Sequence, residues 1–178
     1  MTIEEFSSES VRDKITTRLY RKLPRWLNSY ERNVIGKMSQ NPSWEWGQGR
    51  QGGGYEKFNI LSLASAGWIV HRALDEIGNP TQFDAFLLRY PVGSKIPQHD
   101  DPAEEGMCHV RFNAIVIAGA GGMLSLDGEE LPLDNGDAYV FRPDVIQHSV
   151  TAVEECTRLV LSVGANIENE QAQVLGLT

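Results

Sequence analysis

Apolar residues change their rhythm near residue 80. Ahead of it, Val11, Ile15, Leu19 and Leu23 recur four apart in SSESVRDKITTRLYRKL and share one face of an expected helix. Serines and Glu9 open that run, and Pro24 stops it or restarts a short helix through Trp26 and Leu27. A second helix of about five turns is expected in ILSLASAGWIVHRALDEIGNP, ending at Gly78-Asn79-Pro80. Between the two, SQNPSWEWGQGRQGGGYEKF reads as loop.

Beyond Pro80 the runs shorten and turn β-like: FDAFLLRYP, HVRFNAIVIAG, GMLSLDG, GDAYVFRP, HSVTAV and TRLVLSVG. Turn signals at Asp127-Gly128, Asn135-Gly136 and Pro143-Asp144 separate several of them. Strand after strand without intervening helices predicts a mainly β sandwich or barrel, with the N-terminal helices packed on it. The expected organisation is one domain over residues 1–178, with helical support and a substrate loop in 1–80 and the β core in 81–166. The tail IENEQAQVLGLT reads as a short helix that packs on the barrel or makes an oligomer contact.

Charge narrows the partners. A net charge of -8 and a pI near 5.0 oppose a phosphate-tracking surface, so no nucleic-acid partner is expected. No apolar run reaches the ~20 residues that cross a bilayer, and MTIEEFSSES is acidic, unlike a targeting peptide. Cys108 and Cys156 show no metal-ligand spacing and read as reduced, buried thiols. A cytoplasmic protein without a membrane partner is the expectation; the oligomeric state is open.

Gly47-Gln48-Gly49-Arg50-Gln51-Gly52 satisfies G-x-G-x-x-G. The pattern binds a pyrophosphate only between a buried strand and a helix N-terminus. NPSWEW precedes it and GGYEKFNI follows, so the context is missing. The segment reads instead as a mobile loop, either a lid built from Trp44, Trp46, Tyr55 and Arg50 or a surface loop without a role.

The chemistry gathers around YPVGSKIPQHDDP, from Tyr90 to Pro102. In an extended segment residues i and i+2 point the same way, so His99 and Asp101 share a face while Asp100 points away. A third ligand must come from His71, His109 or His148. His71 lies in a predicted helix and reads as packed or hydrogen-bonded; His109 opens a strand and reads as structural. His148 starts a β-run, expected on the far side of the barrel. His99, Asp101 and His148 together make two imidazoles and one carboxylate, a set that leaves positions open in non-haem Fe(II) oxygenases. Arg158 follows His148 by ten residues. It reads either as a seat for the distal carboxylate of a cosubstrate such as 2-oxoglutarate or as a surface arginine paired with Glu154 or Glu155.

In combination, these residues resemble the Fe(II)/2-oxoglutarate-dependent dioxygenase superfamily, whose signature is H-x-D, a distal His, and a basic residue about ten positions on. Arg89-Tyr90 with Gly93 and His99 is similar to a segment of the prolyl-4-hydroxylase branch, and Arg111-Phe112-Asn113 resembles a strand of the aspartyl/asparaginyl β-hydroxylases. The resemblance covers roughly residues 83–165 and implies a double-stranded β-helix (jelly-roll, cupin-like) core. It further implies Fe(II) on His99, Asp101 and His148, with 2-oxoglutarate anchored by Arg158 and Tyr90. Arg111 and Asn113 would approach the cosubstrate's keto-acid end. The implied reaction uses O2 to hydroxylate a C–H bond of an amino acid, a peptide or protein, or a small metabolite, releasing succinate and CO2. The carboxylate of Asp101 occupies the position a halide takes in related halogenases, which favours hydroxylation. Two rival readings stay open: a cupin-like metalloenzyme that does not use 2-oxoglutarate, and a non-catalytic β-sandwich binding module.

Overall fold

A computed structural model describes residues 19–178. Its strands are β1 (Tyr20–Leu23), β2 (Gly47–Gln48), β3 (Glu56–Asn59), β4 (Asp84–Tyr90), β5 (Ile96–His99), β6 (Met107–Ile117), β7 (Leu124–Leu126), β8 (Glu129–Leu131), β9 (Ala138–Phe141), β10 (His148–Val150) and β11 (Arg158–Glu168). The helices are α1 (Ser29–Met38), α2 (Gly67–Glu76) and α3 (Asn169–Val174). Every pairing is antiparallel. A seven-stranded sheet runs β1-β9-β6-β11-β4-β3-β2, and a four-stranded sheet runs β5-β10-β7-β8. The expected mainly β core is present, and all six predicted β-runs hold a strand.

Alternation along the central strands of the large sheet explains how its two faces differ. Val110, Phe112 and Ala114 of β6, Leu159, Leu161 and Val163 of β11, and Ala85 and Leu87 of β4 pack with Ile69, Val70 and Leu74 of α2. The intervening residues look the other way. Ile115 and Val160 join Leu124 and Leu126 of the small sheet in a second apolar cluster, and polar residues line a cavity beside it. One face is therefore structural and the other carries chemistry.

The N-terminal third departs from the helical expectation. Residues 7–18 of the first predicted helix lie outside the described residues, Leu19 is helical as expected, and Tyr20–Leu23 is a strand paired with β9. A four-residue spacing is compatible with one face of a helix and also with one face of a strand, so the pattern alone does not choose. Pairing with β9 decides it, helped by an ion pair from Lys22 to Asp137 at 3.0 Å. Strands β2 and β3 also extend the large sheet, so residues before 80 contribute strands as well as helices. The helix after Pro24 starts later than expected, at Ser29, where Asn28 and Glu31 form a reciprocal capping box. The second predicted helix is shorter: a 3-10 turn at Ala64–Ala66 leads into α2. Ile60 is held back by its amide bond to the Ala85 carbonyl, which prolongs the β3–β4 pairing. The tail forms α3 and packs, burying Ala172 and Leu177. Among the described residues no helix is long and apolar enough to cross a membrane.

In the small sheet, Asp127 and Gly128 both take positive φ, 50° and 85°, and close the β7–β8 hairpin as a two-residue turn. Strand β5 is an edge strand that carries Pro97, tolerated there because an edge amide need not donate. Its register against β10 slips by one residue between the His99 and Ile96 pairs, a bulge immediately beside the site.

Phe112 is fully buried and packs its ring, tilted, 4.5 Å from that of Trp26, joining β6 to the segment ahead of α1. Phe112→Ala is expected to lower unfolding free energy by about 3–5 kcal/mol in urea titration, with an unchanged slope. A loss under about 1 kcal/mol would contradict this packing.

Candidate metal centre

His99 and His148 are direct cross-strand partners, the last residue of β5 facing the first of β10. Such a pair brings side chains together without help from any loop, and the ring centroids are 4.1 Å apart. The two histidines are therefore neighbours on one small sheet, where the sequence suggested opposite sides of the barrel. Asp101 lies just beyond the end of β5, and its amide donates to the Pro143 carbonyl at 2.8 Å, in the turn leading to β10. Its carboxylate lies 3.7 Å from His99 Nε2 and 4.0 Å from His148 Nε2. One donor atom from each of the three falls within 4.8 Å of the others.

The imidazoles are oriented for this. His99 Nδ1 meets the Pro97 carbonyl at 2.8 Å, and His148 Nδ1 meets the Ile146 carbonyl at 3.2 Å. A proton on each Nδ1 leaves both Nε2 lone pairs directed at the carboxylate, the arrangement metal-binding histidines adopt. Burial, and then the neighbouring His99, push the His148 pKa down to about 4, so at neutral pH its Nε2 is an unprotonated donor. This donor set, with its second nitrogens already anchored, fits a divalent transition-metal ion.

A cavity of about 500 Å³ opens beside the triad. Its floor is the inner face of the large sheet, read off as cross-strand rows. One row runs Asp84, Gly164, Arg111, Phe141; the next runs Phe86, Ser162, Asn113, Tyr139. Further along, Arg158 faces Tyr90 across β11 and β4. Arg111 forks onto Asp84, Nη1 to Oδ1 at 3.1 Å and Nη2 to Oδ2 at 3.0 Å, and also donates to Ser162 Oγ at 2.9 Å. It reaches Asp84 by lying over Gly164, where a Cβ would stand 2.6 Å from its Cζ. Asn113 Nδ2 donates to Tyr139 Oη at 2.9 Å, and its buried Oδ1 has no partner.

Arg158 is buried at 4% exposure, which removes the alternative of a surface arginine paired with Glu154 or Glu155. Its Nη1 donates to the Ala118 carbonyl at 3.3 Å, its Nε has no partner, and no carboxylate pairs with it among the described residues. It does not itself line the cavity, whereas its neighbour Tyr90 does. Burial, and then Tyr139, raise the Tyr90 pKa, so its hydroxyl stays a neutral donor.

Other expectations divide. His71 is exposed on α2 and not packed. His109 lines the cavity, its pKa lowered by burial and then by Arg111. Cys108 is buried as expected, but Cys156 is exposed; both are free. Of the proposed lid aromatics, Trp44 stacks on Phe58, Trp46 packs tilted against it, and both pack on the helix-side core, away from the cavity. Tyr55, Arg50 and Gln51 do line it, and Tyr55 stacks on Tyr90 at 5.3 Å. Asp84, Ser162, Gly164 and Tyr139 are site residues that motif spacing missed. Reading FDAFLLRY and TRLVLSVG as alternating strands would have put Asp84 beside Tyr90, and Ser162 and Gly164 beside Arg158, on one face.

No family model and no curated protein matches the sequence. Solved structures do. A Pseudomonas putida prolyl-4-hydroxylase is similar over 90% of this chain and 98% of its own, with TM-score 0.63 and 19% identity. A Trichoplax adhaerens prolyl hydroxylase, in complex with a hypoxia-inducible-factor oxygen-degradation-domain peptide fragment, is similar over 94% and 91%, with TM-score 0.68 and 15% identity. HygX from Streptomyces hygroscopicus, with nickel and 2-oxoglutarate bound, is similar over 91% and 87%, with TM-score 0.64 and 12% identity. The chain has the jelly-roll fold of the Fe(II)/2-oxoglutarate-dependent dioxygenase superfamily.

Two outcomes follow from the geometry. Gly164→Ala places a methyl group where the Arg111 guanidinium lies, so the Arg111–Asp84 fork is expected to break and stability to fall by roughly 1–3 kcal/mol. Retention of the fork in a crystal structure of that variant would contradict the close approach. Second, a folded-state pKa lowered from 6.5 contributes stability above pH 6.5 that is lost as pH falls towards about 4. The metal-free protein should lose on the order of 3 kcal/mol across that window relative to His148→Phe, measured by urea titration. Parallel pH profiles for the two proteins would refute the burial assigned to His148.

Proposed function

We propose that the protein is an Fe(II)- and 2-oxoglutarate-dependent dioxygenase that hydroxylates a C–H bond of an amino-acid, peptide or protein, or small-metabolite substrate. The observation that carries this reading is the convergence of His99, Asp101 and His148 in the lining of a cavity in this fold. His99 and His148 hold the metal through Nε2 and Asp101 holds it through a carboxylate oxygen. Bound Fe(II) with 2-oxoglutarate supplies O2 activation: one oxygen atom enters the substrate as hydroxyl and the other enters succinate, with CO2 released.

The remaining roles belong to this chain's side chains. Arg158 carries a buried charge at the Tyr90 end without a counterion among the described residues, which favours a carboxylate there; we assign it the distal carboxylate of the cosubstrate. Tyr90 adds a neutral hydroxyl donor at the same end. Asn113, with an unpartnered Oδ1, lines the same cavity and offers an acceptor there. Arg111 has its Nη groups committed to Asp84 and Ser162, so it serves the substrate side of the cavity as one half of an ion pair. Leu88, Leu124, Phe141 and Val150 give the cavity an apolar part of its lining that keeps water from the reacting centre.

The test is succinate release from 2-oxoglutarate with Fe(II) and O2, screened against amino acids and peptides. Wild type should turn over slowly without substrate and faster with the right one. His148→Ala should abolish release, and Arg158→Ala should raise the 2-oxoglutarate KM on the order of 100-fold. Metal-dependent activity that ignores Arg158→Ala would instead favour a metalloenzyme that does not use 2-oxoglutarate. Absence of stoichiometric metal uptake would leave a binding module.

A further inference from the structure

The glycine-rich segment has a place in this site. Gly47 and Gln48 pair with Lys57 and Glu56, so the residues between them form a hairpin loop. Three successive glycines, Gly52, Gly53 and Gly54, take φ of 73°, 73° and 81°, a region closed to most side chains. The Gly53 carbonyl accepts the Lys95 amide at 2.8 Å, just ahead of β5. A Cβ on Gly53 would stand 1.9 Å from the Lys95 carbonyl oxygen, and one on Gly49 would stand 2.1 Å from the Tyr55 ring. Glycine at these positions lets the loop settle against the strand that carries His99.

From the seated loop Gln51 reaches the triad. Its Nε2 donates to Asp101 Oδ1 at 3.1 Å. The Asp101 backbone is fixed by the Pro143 carbonyl, but its carboxylate can still turn about its own side-chain bonds. The Gln51 amide opposes that turn and leaves Oδ2, 4.0 Å from His148 Nε2, with both lone pairs free. No other side-chain hydrogen bond reaches the Asp101 carboxylate among the described residues.

We propose that Gln51 is a positioning residue for the metal ligand Asp101, and that the loop of residues 49–54 latches onto the metal centre through it. Metal affinity and loop seating are then coupled: an unseated loop loosens the carboxylate, and a bound metal helps hold the loop down. The proposal rests on the reading of the triad as a metal centre.

The test titrates Mn(II) into the full chain, wild type, Gln51→Leu, Gly53→Ala and the double variant, by electron paramagnetic resonance, and records the ligand-field spectrum of each with Co(II). Gln51→Leu removes the donor and leaves an apolar side chain one atom shorter. Gly53→Ala leaves Gln51 in place and unseats the loop. Each single change should weaken Mn(II) binding by about 10–100-fold and shift the Co(II) bands. The double variant should bind no more weakly than the worse single, because both remove one contact. If wild type binds one Mn(II) and Gln51→Leu binds it equally well with an unshifted Co(II) spectrum, the latch is refuted and the metal centre stands. Multiplying single effects would refute the coupling of loop to ligand. If wild type takes up no metal, the latch and the proposed function fall together.

Discussion

The register of β5 against β10 is the constraint on which the site depends. With His99 opposite His148, two imidazoles meet because two backbones are hydrogen-bonded, and the cost of bringing them together is met by the sheet. A slip of one residue would turn one ring to the other face. Edge strand β5 is short and interrupted by a bulge, so its register needs support from outside the ladder. Support comes from Asp101, whose amide is tied to the turn ahead of β10, and from Lys95, whose amide is tied to the glycine loop. The candidate metal centre is thus held at both ends of the strand that builds half of it.

The large sheet meets a different demand. Its central strands bury one face under helices and turn the other towards a polar cavity, so each must carry two sequences interleaved at a period of two. In β11, Leu159, Leu161, Val163 and Ala165 alternate with Arg158, Val160, Ser162 and Gly164. The first set packs in the helix-side core, and from the second set Val160 joins the apolar cluster between the sheets while Ser162 and Gly164 line the cavity. Gly164 shows how closely the two are coupled: without a side chain of its own, it gives Arg111 a path across β11 to Asp84. Half-buried Arg111 forks onto the Asp84 carboxylate, whereas buried Arg158 has no carboxylate partner among the described residues; that contrast separates their roles.

The sequence showed most of the β core, because its runs are short, β-rich and punctuated by turns such as Asp127-Gly128. It also showed the triad, because His99 and Asp101 share a face of one extended segment and His148 opens another strand. It did not show that His99 and His148 are adjacent, since strand order is set by long-range pairing. Leu23 was read as helix because a spacing of four suits both periodicities, and pairing with an edge of β9 made the choice from Tyr20 onward. The capping pair Asn28 and Glu31 was visible three residues apart and marks α1 better than Pro24 did. Gln51 carried no motif of its own; only the folded hairpin sets its amide beside Asp101.

The central claim is that three side chains from the β5–β10 junction grip one metal ion, and anomalous diffraction from a crystal soaked in Mn(II) addresses it most directly. The account predicts a single strong peak bonded to Nε2 of His99, Nε2 of His148 and a carboxylate oxygen of Asp101, with its remaining positions facing the cavity. A peak elsewhere, or one bonded through Nδ1 of either histidine, would contradict it.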